Sequence, residues 1–297
     1  MIFKQIKNQP DFKLPKSLTL ILSEYEFVFN PSYVFHSEIN YFAIRLFDKK
    51  LGIIKAIIYS WDNSEDINNI DLSSFLMDNF KIKKVADPKL FVMNNKVYCT
   101  CNSGDGQDYN FNKLMLVELN SNEIITHNIC NYKQRNKTEK NWAFYSKNNH
   151  IYALYSLSPL TILKAKSCQG NVIDFVKYFS DSQQVKKNLS IGTPIISVGK
   201  ELFFFGHKKY YNKKKRLYVG KLCKVSLENE PRLTVKNTMY IHSLKSMLGE
   251  EFKFNKNLIS CTYFSCFFLK NENLILGYGV NDISWKIKIL KFKKLCQ

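Results

Sequence analysis

The sequence predicts an all-β protein, a five-bladed β-propeller that forms a single domain over residues 1–297. Three observations predict it. A hairpin motif recurs five times, its turns are spaced by roughly 50 to 70 residues, and helical periodicity is thin along the chain. Because a hairpin cannot bury both of its faces alone, copies repeated at this period are expected to stack as blades around a common axis.

Each copy starts with a small or polar residue, followed by an apolar strand, a polar turn and a second, aromatic strand. The second copy is the clearest, because Asn94 and Asn95 tolerate the positive φ angles of a tight turn. Strand-like pieces between the hairpins, such as Gly52 to Trp61, would complete four-stranded blades. The five hairpins are predicted at residues 30–47, 87–101, 141–157, 193–207 and 260–282.

Three other segments are less regular. Asn171 to Asp181 has weak helical spacing, but its valine and phenylalanine residues suit a strand equally well. Trp285 to Lys294 alternates apolar and basic residues, and we expect a strand there that closes the ring with the N-terminal segment. Lys208 to Arg216 contains six lysine or arginine residues and is predicted to be an exposed loop.

The composition points to anionic partners. The chain has 44 Lys and Arg against 25 Asp and Glu, a net charge of +19, which attracts phosphates, acidic glycans or an anionic membrane surface. The basic run carries no nucleic-acid-binding motif, so no nucleic acid partner is expected. Eight scattered cysteines without a C-x-x-C pair, and five histidines without ligand spacing, predict a reduced cytoplasmic protein with no metal site and no cofactor. The N-terminus lacks the unbroken apolar stretch of a signal peptide.

Polar residues stand at the heads of the predicted hairpins. In a propeller, the ends of equivalent inner strands converge on one axial opening, so these residues are candidates for a binding funnel. The alternative is that each residue only satisfies the backbone of a turn. The positions are Asn30, Asp87, Asn141, Thr193 and Asp282.

Short motifs at these positions carry a family resemblance. They are "NPS" at 30–32, Arg45 in "FAIRLF", "DPK" at 87–89, "EKNW" at 139–142, "GTP" at 192–194, "FGH" at 205–207 and "GYGVND" at 277–282. In these residues, over about residues 28 to 285, the chain resembles the inverting β-mannoside phosphorylases and the related mannosyltransferases built on a five-bladed propeller.

The resemblance implies roles for individual residues. Asp87 matches the catalytic aspartate, which acts as an acid in glycoside cleavage or as a base in synthesis. The phosphate or nucleotide side is expected at Arg45, Lys140 and His207. The sugar side is expected at Asn30, Ser32, Asn141, Tyr278 and Asp282.

One departure from the family directs the choice of function. Many members carry an arginine just before Gly-Thr-Pro, where this chain has Ser190 or Ile191. We therefore expect an inverting glycosyltransferase, mannosyl or related hexosyl, that serves polysaccharide biosynthesis in the cytoplasm. The anionic part of its donor would be held elsewhere, by the lysines around Lys208 to Arg216. Its donor would be GDP-mannose, a similar sugar nucleotide or a sugar 1-phosphate. Its acceptor would be an oligosaccharide or a lipid-linked glycan, with peripheral contact to an anionic membrane.

Three alternatives remain open. The first is an inverting β-mannoside phosphorylase that uses free phosphate. The second is hydrolysis, which needs another carboxylate to activate water and has only Asp282 and Glu139 as obvious nominees. The third is a non-catalytic propeller that binds glycans, because a fold does not determine a function.

Overall fold

The computed structural model describes residues 2–64, 66–104, 112–136, 141–181 and 188–296. Within these residues the chain is almost entirely β-structure, and no helix is long and apolar enough to span a lipid bilayer. A short first strand, β1 (Phe3–Gln5), precedes the blades. The helices of the described residues are α1 (Lys16–Ser23), α2 (Leu72–Phe80), α3 (Leu244–Leu248) and α4 (Phe292–Cys296).

The first three blades each consist of four consecutive antiparallel strands. Blade one contains β2 (Phe27–His36), β3 (Ile39–Asp48), β4 (Ile53–Trp61) and β5 (Asn68–Asp71). Blade two contains β6 (Ala86–Met93), β7 (Lys96–Asn102), β8 (Leu114–Asn120) and β9 (Glu123–Tyr132). Blade three contains β10 (Ala143–Lys147), β11 (His150–Leu157), β12 (Leu160–Gln169) and β13 (Val172–Asp181). The segment with weak helical spacing is therefore the outer strand β13.

The last two blades are less regular. In blade four the innermost strand is split into β14 (Leu189–Ile191) and β15 (Ile196–Val198), and both pieces pair with β16. The blade continues with β16 (Glu201–Asn212), β17 (Lys215–Ser226) and β18 (Arg232–Val235), and β19 (Met239–Ile241) follows it and pairs with β1. Blade five contains β20 (Leu258–Lys270), β21 (Asn273–Val280) and β22 (Ser284–Lys291).

The N-terminal segment completes blade five. Phe12 N–H donates to the Ile287 carbonyl at 3.0 Å, and Ile289 N–H donates to the Pro10 carbonyl at 2.9 Å. Between them Asp11 forms a 2.8 Å ion pair with Lys288, whose side chain is almost fully buried. The predicted closure of the ring by the two ends of the chain is confirmed, although the last strand ends at Lys291 and α4 follows it.

The two ends of the propeller axis differ in structure. We call the end where β2, β6, β10, β14 and β20 begin the funnel pole, and the opposite end the turn pole. At the turn pole, the β2–β3, β6–β7 and β10–β11 hairpins close with pairs of residues at positive φ. These pairs are Ser37 and Glu38, Asn94 and Asn95, and Asn148 and Asn149, as expected for tight hairpin turns.

The hydrophobic core is divided into layers between neighbouring blades. Each inner strand contributes apolar side chains to both of its faces, so every blade packs on the blade before it and the blade after it. Blades four and five are joined in this way by the rings of Phe205 and Phe264, which stack with centroids 4.6 Å apart. The five-bladed, all-β architecture follows from this arrangement, while the assignment of residues 1–297 to one domain stays a prediction.

One expectation about local structure is wrong, and two helices form where the sequence named none. Leu18 of α1 and Leu76 of α2 pack into inter-blade layers, which stabilises these two helices. The basic run at 208–216 is not a loop. It extends the β16–β17 hairpin, in which Lys208 pairs with Val219 and Asn212 pairs with Lys215. A strand satisfies its backbone in the ladder and leaves its side chains free, so a run of charges is compatible with it.

Candidate active site

All five blades contribute to a funnel of about 630 Å³ at the funnel pole. One wall residue from each blade, in order, is Arg45, Asp87, Asn141, Lys209 and Asp282. Four of the five hairpin-head residues, Asn30, Asp87, Asn141 and Asp282, line the funnel, whereas Thr193 is buried outside it and its hydroxyl accepts from Phe205 N–H at 3.0 Å. A cavity of this size suits a mono- or disaccharide, and its polar side chains are convergent, as in small-molecule sites generally.

An irregular backbone aims the side chains of the first two blades at the axis. Asn30 has φ 56° and Asp87 has φ 53°, and both precede proline. At both places the register of the hairpin shifts, between Phe29 and Ser32 and between Ala86 and Lys89. Such bulges re-aim a side chain, and Asn and Asp tolerate the left-handed backbone better than most residues.

Asp87 lies at the centre of the polar contacts. Arg45 Nη1 is 3.3 Å from Asp87 Oδ1, and the two side chains are only 11% and 13% exposed. Asn30 Nδ2 donates to the same oxygen at 3.4 Å. Arg45 is positioned by β3, where it pairs with Phe29 and stacks its guanidinium 5.0 Å from the centre of that ring. The carboxylate is therefore held by a cation and an amide from blade one.

Beneath Asp87 a second group of polar contacts joins blades two, three and five. Lys89 Nζ donates to Asn141 Oδ1 at 2.7 Å, and the Tyr263 hydroxyl donates to the same oxygen at 3.3 Å. Burial lowers the pKa of Lys89 to about 8, while the charge of Asp87 opposes that shift. Burial raises the pKa of Tyr263 well above its ordinary value, and the Asp87 carboxylate acts in the same direction. Tyr263 is therefore a neutral hydrogen-bond donor at the floor of the funnel.

His207 is also on the funnel floor, and it is uncharged. Burial lowers its pKa to about 3, and the charges of Lys89 and Lys209 act in the same direction. Its Nε2 lies 3.0 Å from the Phe264 carbonyl, so this nitrogen carries the proton of the neutral ring. The ring packs on Tyr263 with centroids 4.2 Å apart. Gly192 makes room for it, since a Cβ at that position would lie 2.9 Å from His207 Nε2.

Asp282 is a second carboxylate in the funnel wall. It follows Asn281 in the turn between β21 and β22, and both residues have positive φ. Burial raises the pKa of Asp282, and the negative charge of Asp87 adds to that effect, whereas Arg45 opposes it. The funnel therefore holds two acidic groups in unlike environments: Asp87 is ion-paired with Arg45, whereas burial is the main influence on Asp282.

The wall from blade four is basic. Lys209 on β16 and Arg216 on β17 both reach the funnel from the extended hairpin. Both cations flank Tyr218, with Lys209 Nζ 5.5 Å and the Arg216 guanidinium 5.9 Å from the centre of its ring. Ser190, at the place where the resembled family carries arginine, lies in the same wall. Cations on neighbouring strands thus supply positive charge near Ser190.

The structure brings six of the nine predicted site residues to the funnel: Asn30, Arg45, Asp87, Asn141, His207 and Asp282. Ser32 is buried behind it, where its hydroxyl accepts from Leu90 N–H at 2.8 Å. Tyr278 is fully buried in the core between blades four and five and bonds to His242, so it is not at the funnel. Lys140 lies outside the described residues, as does Glu139.

Several funnel residues were missed in the sequence. Tyr263 belongs to an apolar run that does not reveal which of its faces meets the axis. Lys209 and Arg216 belong to the run whose lysines were expected to hold the anion, but that run was interpreted as a loop and not as a strand hairpin in the funnel wall. Lys89 stands within the "DPK" motif but was given no role. Among the described residues no group of three or more His, Cys, Asp or Glu is arranged to hold a metal ion.

Comparison by sequence finds no relative. No family model matches the chain, and no curated protein matches it. Comparison by structure, in contrast, finds many solved chains with the same fold.

Three of these solved structures span nearly the whole chain. One is a glycoside hydrolase of the GH130 family of mannoside phosphorylases that targets β-1,2-mannosidic linkages in Candida mannan; it is 13% identical with TM-score 0.64 and covers 97% of this chain and 90% of its own. A glycosyl hydrolase from Bacteroides ovatus is 12% identical with TM-score 0.62, and the match covers 91% of this chain and 86% of the hydrolase. The β-1,2-mannobiose phosphorylase from Listeria innocua is 11% identical with TM-score 0.54, covering 92% and 91%.

At these identities the similarity shows a shared fold. The expected main function nevertheless has to be corrected. The proteins that share the fold are described as glycoside hydrolases and mannoside phosphorylases, so the expectation of a glycosyltransferase with a sugar-nucleotide donor, and with it a role in polysaccharide biosynthesis, is wrong. The absence of arginine before Gly-Thr-Pro is not evidence for a nucleotide donor, because Lys209 and Arg216 place positive charge in the same wall of the funnel.

Proposed function

We propose that the chain is an inverting β-mannoside phosphorylase, which cleaves a β-mannoside with inorganic phosphate and releases α-mannose 1-phosphate. The observation that carries the proposal is the Asp87 carboxylate, held at the axis by Arg45 in a funnel whose blade-four wall is basic. The choice of sugar is supported by the fold relatives that act on β-1,2-mannosidic linkages.

In this mechanism Asp87 is the general acid. It donates its proton towards the glycosidic oxygen, directly or through a sugar hydroxyl, while the bond from that oxygen to C1 breaks. An oxygen of HPO₄²⁻ forms the new bond to C1 from the opposite face, which inverts the configuration. The leaving sugar departs as an alcohol, and the proton released from the phosphate product restores the acid. One positioned acid contributes roughly 10²- to 10⁴-fold.

Blade-one residues and the floor are proposed to orient the mannosyl unit. Arg45 Nε and Asn30 Oδ1 are buried and have no hydrogen-bond partner among the described residues. Buried polar atoms in a cavity wall are expected to pair with a ligand, because leaving them unsatisfied costs roughly 1 to 3 kcal/mol each. Asn141 and Asp282 would add contacts to sugar hydroxyls from blades three and five.

Lys209 and Arg216 are proposed to hold the phosphate. An arginine presents paired donors that match phosphate oxygens, and a lysine adds a compact positive charge. His207 is neutral, so its contribution would be a hydrogen bond rather than charge. Lys140 remains a candidate for the same subsite.

Hydrolysis is a second candidate, and Asp282 is the observation that favours it. An inverting hydrolase needs a general base opposite the acid, and Asp282 is the other carboxylate of the funnel wall. Its pKa is raised, which suits a proton acceptor better than a permanently ionised group.

A product assay tests the proposal. The full chain is incubated with β-1,2-mannobiose, with and without inorganic phosphate, and mannose 1-phosphate and mannose are quantified. We expect mannose 1-phosphate only when phosphate is present, and a loss of at least roughly 10²-fold in Asp87→Asn. Arg216→Ala should raise the KM for phosphate with little change in the KM for the sugar.

The matched control is Arg232→Ala, which removes an exposed arginine from the outer strand of the same blade. Mannose released at equal rates with and without phosphate would replace phosphorolysis by hydrolysis, and Asp282→Asn should then abolish it. Calorimetric binding of the sugar without turnover under either condition would instead support a glycan-binding propeller.

A further inference from the structure

Exposed apolar side chains lie in two segments that lead into strands at the funnel pole, the β3–β4 turn and the stretch from the end of α3 to β20. Leu248 is 65% exposed, Phe252 is 67% exposed, and Leu51 at the β3–β4 turn is 59% exposed. We call these three residues, together with Phe254, the mouth ridge. Phe254 lines the funnel and packs on Phe47 with ring centroids 5.4 Å apart, so the ridge is fixed to blade one.

The ridge is built on ordered structure. Phe27 at the start of β2 contacts both ridge aromatics, with centroids 6.3 Å from Phe252 and 5.0 Å from Phe254. The Phe254 N–H donates to the Asn281 carbonyl at 3.2 Å, which fixes the segment to blade five. Three large apolar side chains held in water at more than half exposure are costly unless a partner covers them.

Basic side chains flank the ridge. The β16–β17 hairpin ends at the funnel pole in Lys213, Lys214 and Lys215, all exposed. Lys49 and Lys50 are exposed beside Leu51, although Lys49 is 3.6 Å from Glu26. The segment from Leu244 to Asn257, which contains Leu248, Phe252 and Phe254, carries three lysines and two glutamates. These residues are Lys245, Lys253 and Lys256, and Glu250 and Glu251. The mouth therefore combines apolar side chains with an excess of positive charge.

We propose that the funnel pole docks on an anionic lipid bilayer, with the mouth ridge inserted among the acyl chains and the lysines on the headgroups. Apolar and aromatic side chains beside basic ones are the pattern of proteins that lie in the interface, where each Lys or Arg near an anionic surface contributes about 1 kcal/mol. A nucleic acid would use the lysines but leaves the exposed leucines and phenylalanine uncovered. Docking would turn the funnel towards glycans at the lipid surface.

Vesicle binding tests this surface without reference to catalysis. The full chain is sedimented with vesicles of phosphatidylcholine alone, and with vesicles in which about a third of the lipid is phosphatidylglycerol. We expect binding to the anionic vesicles only, weakened by added salt. Phe252→Ser and the double variant Lys213→Glu/Lys214→Glu should each lower the partition coefficient roughly tenfold or more.

Controls at the turn pole carry matched changes. Val198→Ser removes an exposed apolar side chain there, and Lys147→Glu/Lys200→Glu reverses two exposed charges. Both should bind like the wild type, and circular dichroism checks that every variant is folded. The proposal is overturned if the wild type does not bind anionic vesicles, if the turn-pole variants lose binding equally, or if Phe252→Ser binds normally. If the wild type were a dimer in solution and Phe252→Ser were a monomer, the mouth ridge would instead be the contact with a second copy of the chain.

Discussion

Three residues share a left-handed backbone at the head of blades one, two and three. Asn30, Asp87 and Asn141 have φ between 53° and 65°, and side chains of this length pay the smallest penalty there after glycine. The left-handed backbone thus favours asparagine and aspartate at these positions, and both residue types can also hydrogen-bond to sugar hydroxyls. Of these three residues only Asp87 carries a carboxylate, and its ion pair with Arg45 distinguishes it from the two asparagine amides.

His207 should make the protein sensitive to acid. Its pKa is about 3 when folded and near the ordinary value of about 6.5 when unfolded. Between those values the unfolded chain binds a proton that the folded chain excludes, so stability falls as pH drops through this window. We expect His207→Gln to lose less stability than the wild type between pH 6.5 and pH 4, by on the order of 3 kcal/mol.

Urea unfolding at several pH values measures that difference. His150→Gln is the matched control, because His150 is exposed at the start of β11. Parallel stability curves for the wild type and His207→Gln would show that the buried ring does not resist protonation.

At the scale of strands, glycines let blade five approach blade one. A Cβ at Gly279 on β21 would lie 2.2 Å from Asn30 Oδ1, the side chain whose amide holds Asp87. Gly279→Ala should therefore displace Asn30, lower the free energy of unfolding by roughly 1 to 3 kcal/mol and reduce kcat about tenfold. Thermal unfolding and the phosphorolysis assay measure both effects.

Gly220→Ala separates packing from the site. A Cβ at Gly220 would lie 2.2 Å from the Phe264 ring, a similar clash at a place that does not touch Asn30. It should lower stability by a comparable amount and leave kcat less affected. An equal fall of kcat in both variants would mean that general loosening, rather than the displacement of Asn30, reduces the rate.

The features that could be predicted from the sequence are those set by residues close together along the chain. Hairpins were visible because Asn-Asn turns and alternating apolar residues are local signals, and Asn30 and Asp87 were visible because they precede proline at the bulges. Which face of a strand meets the axis depends on the twist and packing of whole blades. For that reason Tyr278 was assigned to the sugar although it lies in the core, while Tyr263 was overlooked.

At the scale of the whole molecule, the ring depends on a non-local contact between its ends. Deleting residues 2–13 would remove the segment 10–12 that is hydrogen-bonded to β22 and the contact between Phe12 and Tyr33, whose ring centroids are 4.6 Å apart. It would also leave the nearly buried Lys288 without Asp11. We expect the melting temperature to fall by roughly 5 to 15 °C, because several kcal/mol are lost and a chain of this size shifts by roughly 2 to 4 °C per kcal/mol.

Deleting only residues 2–5 is the control, since it removes β1 and keeps residues 10–12 hydrogen-bonded to β22. Circular dichroism on heating compares the two truncations with the full chain. If the longer truncation melted no lower than the shorter one, the closing strand would contribute nothing to stability.

The pairing of residues 10–12 with β22 also sets an order of events during synthesis. Residues 10–12 are synthesised well before their partners at 287–289, because about 275 residues lie between the two segments. At about 5 to 20 residues per second the delay between the two is on the order of 15 to 55 s. Throughout that interval blades one to four are free to assemble while residues 10–12 have no hydrogen-bonding partner. A polypeptide interrupted before residue 287 would therefore leave the ring open, and an open ring is more accessible to proteases.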